Sequence, residues 1–416
     1  VKANLLTTYN QRLIMGKRSL NRAEILILFI IWPFLGLLAA CGQFQNRKTR
    51  FICVLFGALF GYTFVVGNES IDSYRYVVEF QYYAKYVNDW AYWFELSSHN
   101  YGVQFFVPLM NSIVSLFTDN YHLLYAIYGM LFSYFMTKTV GILYDCNKNT
   151  ATILKLLLVI LLLSLNFIFN INGVRMWLAM WVICYALLAY WNGMMSKSCC
   201  YMLLVLSVFV HWSYFFVFLL FVFYNNVNLK KEFFLYVFIL ASFAIRAFFS
   251  SIVQSLPFIS GFYEDKVMLY TSEEGLERAA ENRQNMSFLY GMYKMLFSPA
   301  VLLLLMYIRK GLNLWKNAVM QNMYCFALIV YAISNTAANA SAASRFFVLF
   351  QYFAVFFMYS ALSYISMGKK RIVTICLLPL LGFSIVNAML LGRTVTSPNL
   401  FLPVPFYIIQ SSSSVI

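Results

Sequence analysis

Long apolar stretches, separated by short polar segments, make up most of this chain. Each stretch approaches the ~20 residues that a helix needs to cross a bilayer. The short alternating segments of a β-barrel do not occur, so the pattern predicts an all-α, polytopic integral membrane protein with about twelve transmembrane helices. The stretches occupy residues 23–41, 50–67, 102–118, 121–143, 152–169, 174–193, 199–223, 233–250, 287–308, 318–334, 346–366 and 371–391.

The composition agrees with this class. Of the 416 residues, 62% are hydrophobic and 11% are charged, whereas soluble domains carry about 25% charged residues. The net charge of +15 is spread over predicted helix ends, which favours cytoplasmic anchoring and predicts no nucleic-acid partner. Anionic membrane lipid and a phosphate-bearing substrate suit the remaining positive charge. The eight cysteines have no spacing suited to a metal, so neither a metal nor a cofactor is predicted.

We expect one membrane domain at residues 23–391, after a basic N-terminal arm at 1–22 and before a C-terminal tail at 392–416. The two longer polar connections, 68–100 and 251–286, are net acidic, as loops on the outer face can be. The short loops are basic, as inner loops usually are, and they lie at 47–50, 229–232, 309–316 and 368–371.

Strict alternation of these loops leads to two conflicts. It places the basic arm at 1–22 outside, and it places Arg175 towards the cytoplasm while Arg345 faces out. The weakest span is 102–118. If that segment is re-entrant or interfacial, Arg175 moves to the outer side, and a second irregularity is then needed before residue 229. We expect such an irregularity.

Three ionisable residues, Arg175, His211 and Arg345, lie in or beside apolar stretches. Charged side chains at membrane depth cost roughly 2.5–3.5 kcal/mol on insertion scales, so they are usually kept for a function. A histidine titrates near pH 6.5 and suits general base catalysis, although a lone histidine on an apolar face is often structural. All three are therefore candidate catalytic residues.

Both arginines stand at predicted helix starts behind small or polar residues. Asn170 and Asn172 precede Arg175, and a run that contains Asn339 precedes Arg345. The positive end of a helix dipole and an arginine together make an anion site. The alternative is an arginine that snorkels to the membrane surface, combined near Arg345 with tight helix packing.

The segment DSYRY contains Asp72, Tyr74 and Arg75 and follows the second apolar stretch. Aromatic residues continue along it, which is typical of an aromatic belt at a membrane surface. The alternative is a carbohydrate-binding platform, because aromatic faces and carboxylates suit sugar C–H and O–H groups. The combination of this segment's aromatic residues with Asp72 and Arg75 keeps this alternative open.

The second acidic loop has helical spacing between residues 268 and 290. Glu277 and Glu281 are four residues apart, and Arg278 and Arg283 lie nearby. Such a helix would lie across the outer mouth of a cavity, or would be a solvated surface helix.

Four segments together resemble the EpsG/Wzy-type polysaccharide polymerases. They are NESIDSYRY, NINGVRMWLAMWVICYALLAYW, VLSVFVHWSYFF and SAASRFF. The resemblance covers about residues 23–366. Its most specific part is Arg175, the LAMW helix that follows, and His211 about one hairpin later. Proteins of this family are multi-pass proteins of the bacterial inner membrane.

The resemblance implies polymerisation of undecaprenyl-diphosphate-linked repeat units into O-antigen, capsule or exopolysaccharide by glycosyl transfer at the outer face. It implies that Arg175 and Arg345 bind the diphosphate, that His211 acts as the base or as an orienting group, and that Asp72 is a second candidate base. The candidate substrate-binding residues are Tyr74, Arg75, Asn170, Asn172, Arg278, Glu281, Arg283 and Asn339. The expected partners are the lipid-linked glycan and membrane lipid, with a chain-length regulator and a flippase as candidates.

Two other functions remain open from the sequence. A lipid-linked oligosaccharide flippase or transporter would show charges in many spans and often repeated halves. An O-antigen ligase shares the outline of many spans with outer loops. The chain contains no Walker, Rossmann, HExxH or GxSxG motif, which argues against an ATP-driven pump and the common hydrolases.

Overall fold

The computed structural model describes residues 20–67, 72–86, 105–147, 153–226, 232–248, 288–313, 317–338 and 343–404. These ranges form helices and contain no β-strand, so the all-α class is confirmed. Several predicted features lie outside the described residues: the loop at 251–286 with Arg278, Glu281 and Arg283, the residue Asn339, and most of the arm at 1–22.

The α-helices of the described ranges are numbered in chain order. They are α1 (Arg22–Ile31), α2 (Pro33–Gly42), α3 (Phe51–Tyr62), α4 (Asp72–Lys85), α5 (Phe106–Ser115), α6 (Tyr121–Cys146), α7 (Ile153–Leu165), α8 (Val174–Trp191), α9 (Lys197–Val210), α10 (Phe215–Asn226), α11 (Glu232–Ile245), α12 (Phe288–Arg309), α13 (Ala318–Thr336), α14 (Ala343–Ala361) and α15 (Met367–Val395).

Among the described residues, four segments are long and apolar enough to cross a membrane, and shorter apolar helices accompany them. The four are Tyr121–Cys146, Ile153–Trp191, Ala318–Thr336 and Met367–Val395. The predicted number of about twelve spans is not confirmed.

The second of these segments, Ile153–Trp191, contains α7 and α8, and the chain reverses direction between them. Lys155 near its start donates to the carbonyl of Asn147 at 2.8 Å, and the neighbouring Cys146 contacts Asn192, just past its end, at 3.2 Å.

The stretch predicted as one span at 23–41 is a hairpin of two short helices. Trp32 has an extended backbone (φ −144°, ψ 90°) that interrupts the helix. Pro33 is the first residue of α2, where proline fits because a backbone N–H at that position would have no acceptor within the helix. The Gln43 side chain donates to the carbonyl of Leu20 at 2.8 Å, so both ends of the hairpin lie together.

The stretch predicted at 199–223 is a second hairpin, formed by α9 and α10. Tyr201, near the start of α9, accepts a hydrogen bond from Asn225, near the end of α10, at 3.3 Å. The Tyr201 ring also lies 5.7 Å from the ring of Phe221. The two helices are therefore antiparallel, and His211 lies at the tip between them.

Helix α5 is too short to cross a membrane. Its 10 residues span about 15 Å, whereas a bilayer core is about 30 Å thick. The described part of the segment 102–118 thus fits the expected irregularity, and the α9–α10 hairpin fits the second one needed before residue 229.

Contacts between helix termini show which helix ends lie at the same end of the bundle. At one end, Arg50 pairs with Asp145 at 2.7 Å and Arg309 pairs with Glu232 at 2.7 Å. We call this the basic end; its cationic residues include Arg47, Arg50, Lys155, Lys197, Arg309 and Lys369. At the opposite end, which we call the site end, α8 and α14 begin and His122 Nδ1 lies 2.8 Å from the carbonyl of Tyr62.

Three glycines bring α3 and α6 into close contact. A Cβ on Gly61 would lie 1.9 Å from the carbonyl oxygen of Tyr125, and one on Gly129 would lie 2.0 Å from that of Gly57. Small residues allow helix backbones to approach in this way within membranes. The contact fixes the position of Tyr125, which faces the site described below.

Candidate functional site

Helix α4 packs over the start of α8 at the site end. The backbone N–H of Ser73 donates to Asn172 Oδ1 at 3.3 Å. Asp72 Oδ2 lies 3.6 Å from the position that a Cβ on Gly173 would occupy. The carboxylate therefore lies beside the first turn of α8, where Arg175 is the second residue.

Arg175 is held by Tyr76 of α4. Its Nε donates to Tyr76 Oη at 2.9 Å, and its guanidinium carbon lies 5.3 Å from the centre of the Tyr76 ring. Tyr76 is only 3% exposed. Burial raises the pKa of Tyr76, and the positive charge of Arg175 opposes part of that rise. The phenol therefore stays neutral and fixes the orientation of the guanidinium.

Asp72 forms an ion pair with Arg75, one turn later on α4. The Arg75 side chain is 67% exposed and that of Asp72 is 35% exposed. Surface pairs of this kind contribute little stability, about 0–1 kcal/mol. The pair therefore places a carboxylate and a second guanidinium beside the start of α8 without burying either charge.

Helix α4 has one buried face, although its sequence lies within a predicted polar loop. Ser73, Tyr76, Val77, Phe80 and Tyr83 repeat at helical spacing and are buried. The aromatic-belt interpretation does not fit the buried tyrosines, but it agrees with residues on the other face: Tyr82 and Tyr86 are 50% and 38% exposed, and Tyr74 is half-buried.

His211 lies at the tip of the α9–α10 hairpin. Its backbone N–H donates to the carbonyl of Ser207 at 2.9 Å, and its extended backbone (φ −151°, ψ 113°) ends α9. Its Nδ1 lies 2.7 Å from Ser213 Oγ. If Nδ1 carries the proton and donates to Ser213, Nε2 is the basic nitrogen, as a general base requires.

Tyr214 joins His211 to both arginine-bearing helices. Its hydroxyl donates to the carbonyl of Met176, next to Arg175, at 3.1 Å. Its ring centre is 6.0 Å from that of His211 and 6.4 Å from that of Phe346, which follows Arg345. The half-buried Arg345 is close enough to act electrostatically on the Tyr214 hydroxyl.

The structure thus brings Asp72, Arg175, His211 and Arg345 to the same end of the bundle, around the start of α8. The conflict over the sides of Arg175 and Arg345 is removed, because strict alternation counted α5 and the α9–α10 hairpin as one crossing each. Asn172 holds the first turn of α4, as described above. Asn170 donates to Asn166 Oδ1 at 2.9 Å and so belongs to the turn that precedes α8.

Sequence reasoning did not single out the residues that connect these four. Tyr76 was one of many tyrosines in a polar segment, and its signal was the helical spacing of Ser73, Tyr76 and Phe80. In the sequence, Tyr214 is only a polar neighbour of His211. Its position three residues after the histidine gives no sign that it reaches across to α8.

Within the described ranges, no group of three or more His, Cys, Asp or Glu residues is placed to hold a metal ion. The side chains gathered at the site end are cationic, carboxylate, phenolic and imidazole groups. They can bind an anion, accept a proton and donate hydrogen bonds.

These features define a helical membrane protein with ionisable residues gathered at one end of its bundle. The model of the EpsG family matches residues 48–401, nearly the whole chain, and the chain belongs to this family of Wzy-type polysaccharide polymerases. The resemblance drawn from the four sequence segments is therefore confirmed. No curated protein and no solved structure matches the chain.

Proposed function

We propose that this protein joins undecaprenyl-diphosphate-linked oligosaccharide repeat units into a surface polysaccharide, at the outer face of the bacterial inner membrane. A hydroxyl oxygen of one unit attacks the anomeric carbon of the growing chain. The bond from that carbon to the diphosphate oxygen breaks, the electron pair leaves with undecaprenyl diphosphate, and the hydroxyl proton passes to a base on the protein.

The observation that carries this proposal is the convergence of Arg175 and Arg345 at one end of the bundle. Each lies in the first turn of a helix, α8 and α14 respectively. Guanidinium groups bind phosphate oxygens with two hydrogen bonds, and a helix N-terminus adds partial positive charge. Together they would stabilise the charge that develops on the leaving diphosphate.

His211 and Asp72 are the candidate bases. His211 is next to the buried Tyr214, whereas Asp72 has one carboxylate oxygen engaged by Arg75. The imidazole is the side chain best suited to general base catalysis by its chemistry, so we assign the base to His211 and give Asp72 an orienting role.

The charge distribution supports an outward-facing site. Both hairpins return the chain to the basic end, so Arg22, Lys197 and Arg309 lie at that end. The positive-inside rule then assigns the basic end to the cytoplasm and the site end to the outer face. Undecaprenyl-linked units that have crossed the membrane would meet the site there.

The test is a complementation experiment in a strain that lacks the gene. We expect Arg175→Ala, Arg345→Ala and His211→Ala to abolish the long-chain ladder on a polysaccharide gel and to leave single repeat units attached to lipid. Arg393→Ala is the matched control, because Arg393 is exposed in the last turn of α15 at the same end. It should restore long chains.

Normal ladders from all three site variants would refute the site assignment. If the deletion strain still makes long chains but does not attach them to their acceptor, the protein is a ligase. If repeat units fail to reach the outer face, it is a flippase.

A further inference from the structure

Buried polar groups without partners cluster between α4, α5 and α6. Ser73, Asn111 and Tyr128 are each 0% exposed. Within the described part of the chain, Ser73 Oγ, Tyr128 Oη and both polar atoms of the Asn111 side chain have no hydrogen-bond partner. Roughly 90% or more of buried polar groups in native proteins are paired, so a cluster of unpaired groups at one place indicates a ligand.

Contacts show that these three residues belong to one place. The hydroxyl of Tyr125 donates to the carbonyl of Ser73 at 3.2 Å, and its ring centre lies 5.5 Å from that of Tyr128. Phe106, at the start of α5, lies 5.7 Å from Tyr128 by ring centres. Helix α5, on which Asn111 is buried, contacts both α4 and α6. We call Ser73, Asn111 and Tyr128 the polar pocket.

The polar pocket adjoins the Arg175–Tyr76 contact. Ser73 and Tyr76 lie one turn apart on the buried face of α4. The charges of Arg175 and Glu79 both act on the hydroxyl of Tyr128. A ligand in the pocket would therefore lie near the group assigned to the diphosphate.

We propose that the polar pocket binds the first sugar ring of the lipid-linked glycan, the ring attached to the diphosphate. The inference rests on the proposed function and deepens it. The pocket offers two hydroxyls and one amide, which are uncharged donors and acceptors that match sugar hydroxyl or acetamido groups. A phosphate would instead be recognised by cations, which lie on the Arg175 side.

Such a pocket would select the sugar. Sites built to hydrogen-bond a hydroxyl discriminate strongly against a ligand that lacks it, because their buried polar groups are then left unpaired. The repeat unit would thus be read at its reducing end, where the bond to diphosphate is broken.

The experiment measures binding to the purified full-length protein in detergent by thermal unfolding. The two probes are undecaprenyl diphosphate and the lipid-linked oligosaccharide extracted from the deletion strain. We expect Tyr128→Phe and Ser73→Ala to bind the oligosaccharide at least about tenfold more weakly than the wild type does. Their affinity for undecaprenyl diphosphate should be unchanged.

The matched control is Ser133→Ala. Ser133 also lies on α6, is 1% exposed and has an unpartnered hydroxyl, but it packs against Gly57 towards the basic end. It should bind both probes as the wild type does. All three variants should melt at or above the wild-type temperature, since replacing an unsatisfied buried polar group by an apolar one of similar shape is nearly neutral or stabilising.

If both pocket variants bind the oligosaccharide with wild-type affinity, the polar pocket does not bind the sugar and the proposal is refuted. Equal weakening for both probes would also overturn it, because the variants would then act on the diphosphate site. If the wild type binds neither probe, the proposed function itself fails.

Discussion

A single side chain, Arg175, combines three properties that phosphate recognition needs. It is half-buried, it lies in the first turn of α8, and its orientation is fixed by the hydroxyl of Tyr76. Lysine supplies the charge alone, without the planar fork that binds two phosphate oxygens. At this position geometry should therefore matter as much as charge.

We expect Arg175→Lys to lower the rate of long-chain formation at least about tenfold, because a lysine cannot keep the Tyr76 contact and bind bidentately. Tyr76→Phe should lower it roughly two- to tenfold, which corresponds to one hydrogen bond of about 0.5–1.5 kcal/mol. The rate is measured with extracted lipid-linked repeat units and the purified enzyme.

Tyr82→Phe is the matched control, since Tyr82 lies on the same helix with half of its surface exposed. It should keep the wild-type rate. If Tyr76→Phe behaves like Tyr82→Phe, the phenol does not position Arg175.

Residues of this kind can be predicted from sequence only in part. Arg175, His211 and Arg345 stand out because charge is rare among apolar residues. Asn111 and Tyr128 do not, because asparagine and tyrosine occur in many membrane helices. Their significance depends on the absence of a hydrogen-bond partner among the described residues, which only the packing of three helices reveals.

At the scale of helices, the α3–α6 contact depends on glycine. Gly61→Ala would place its Cβ 1.9 Å from the backbone oxygen of Tyr125, and a backbone atom cannot move aside cheaply. We expect a loss of about 1–3 kcal/mol of stability, as for other overpacked sites. Thermal unfolding of the purified protein measures it.

Gly382→Ala provides the comparison for that substitution. Gly382 is in the interior of α15, and a Cβ there would meet nothing within 4 Å. Since alanine is the better helix former, this variant should be neutral or gain up to about 1 kcal/mol. Equal melting temperatures of the two variants would show that the close contact does not limit stability.

The helical hairpins explain where hydropathy analysis went wrong. Averaged over a window, α1 and α2, or α9 and α10, are as apolar as a single span. The reversal depends on one extended residue in each case, Trp32 and His211. Pro33 was a visible sign at the first, but nothing in VFVHWSY distinguishes a turn from a continuous helix.

For the molecule as a whole, the two hairpins set the orientation. Without the first hairpin, alternation places the N-terminal arm outside; without the second hairpin and the short α5, it separates Arg175 from Arg345. With them, the described basic loops share one end and the candidate catalytic residues share the other. The side of the membrane on which each end of the bundle lies can therefore be tested directly.

That measurement is cysteine labelling with a membrane-impermeant reagent, after replacement of the eight native cysteines. The exposed Asp119 lies at the site end, so Asp119→Cys should react in intact spheroplasts. Arg22→Cys and Lys197→Cys should react only after permeabilisation, because both residues are exposed at the basic end. Labelling of Arg22→Cys from outside would contradict the first hairpin.

The tip of the first hairpin bears on how the protein is made. Trp32 Nε1 donates to the carbonyl of Phe401 at 2.8 Å, across 369 residues of sequence. At a synthesis rate of about 5–20 residues per second, roughly 20–70 seconds pass before that partner leaves the ribosome. The first hairpin therefore forms before the partner of its tip has been synthesised, and the arrival of residue 401 adds this long-range contact.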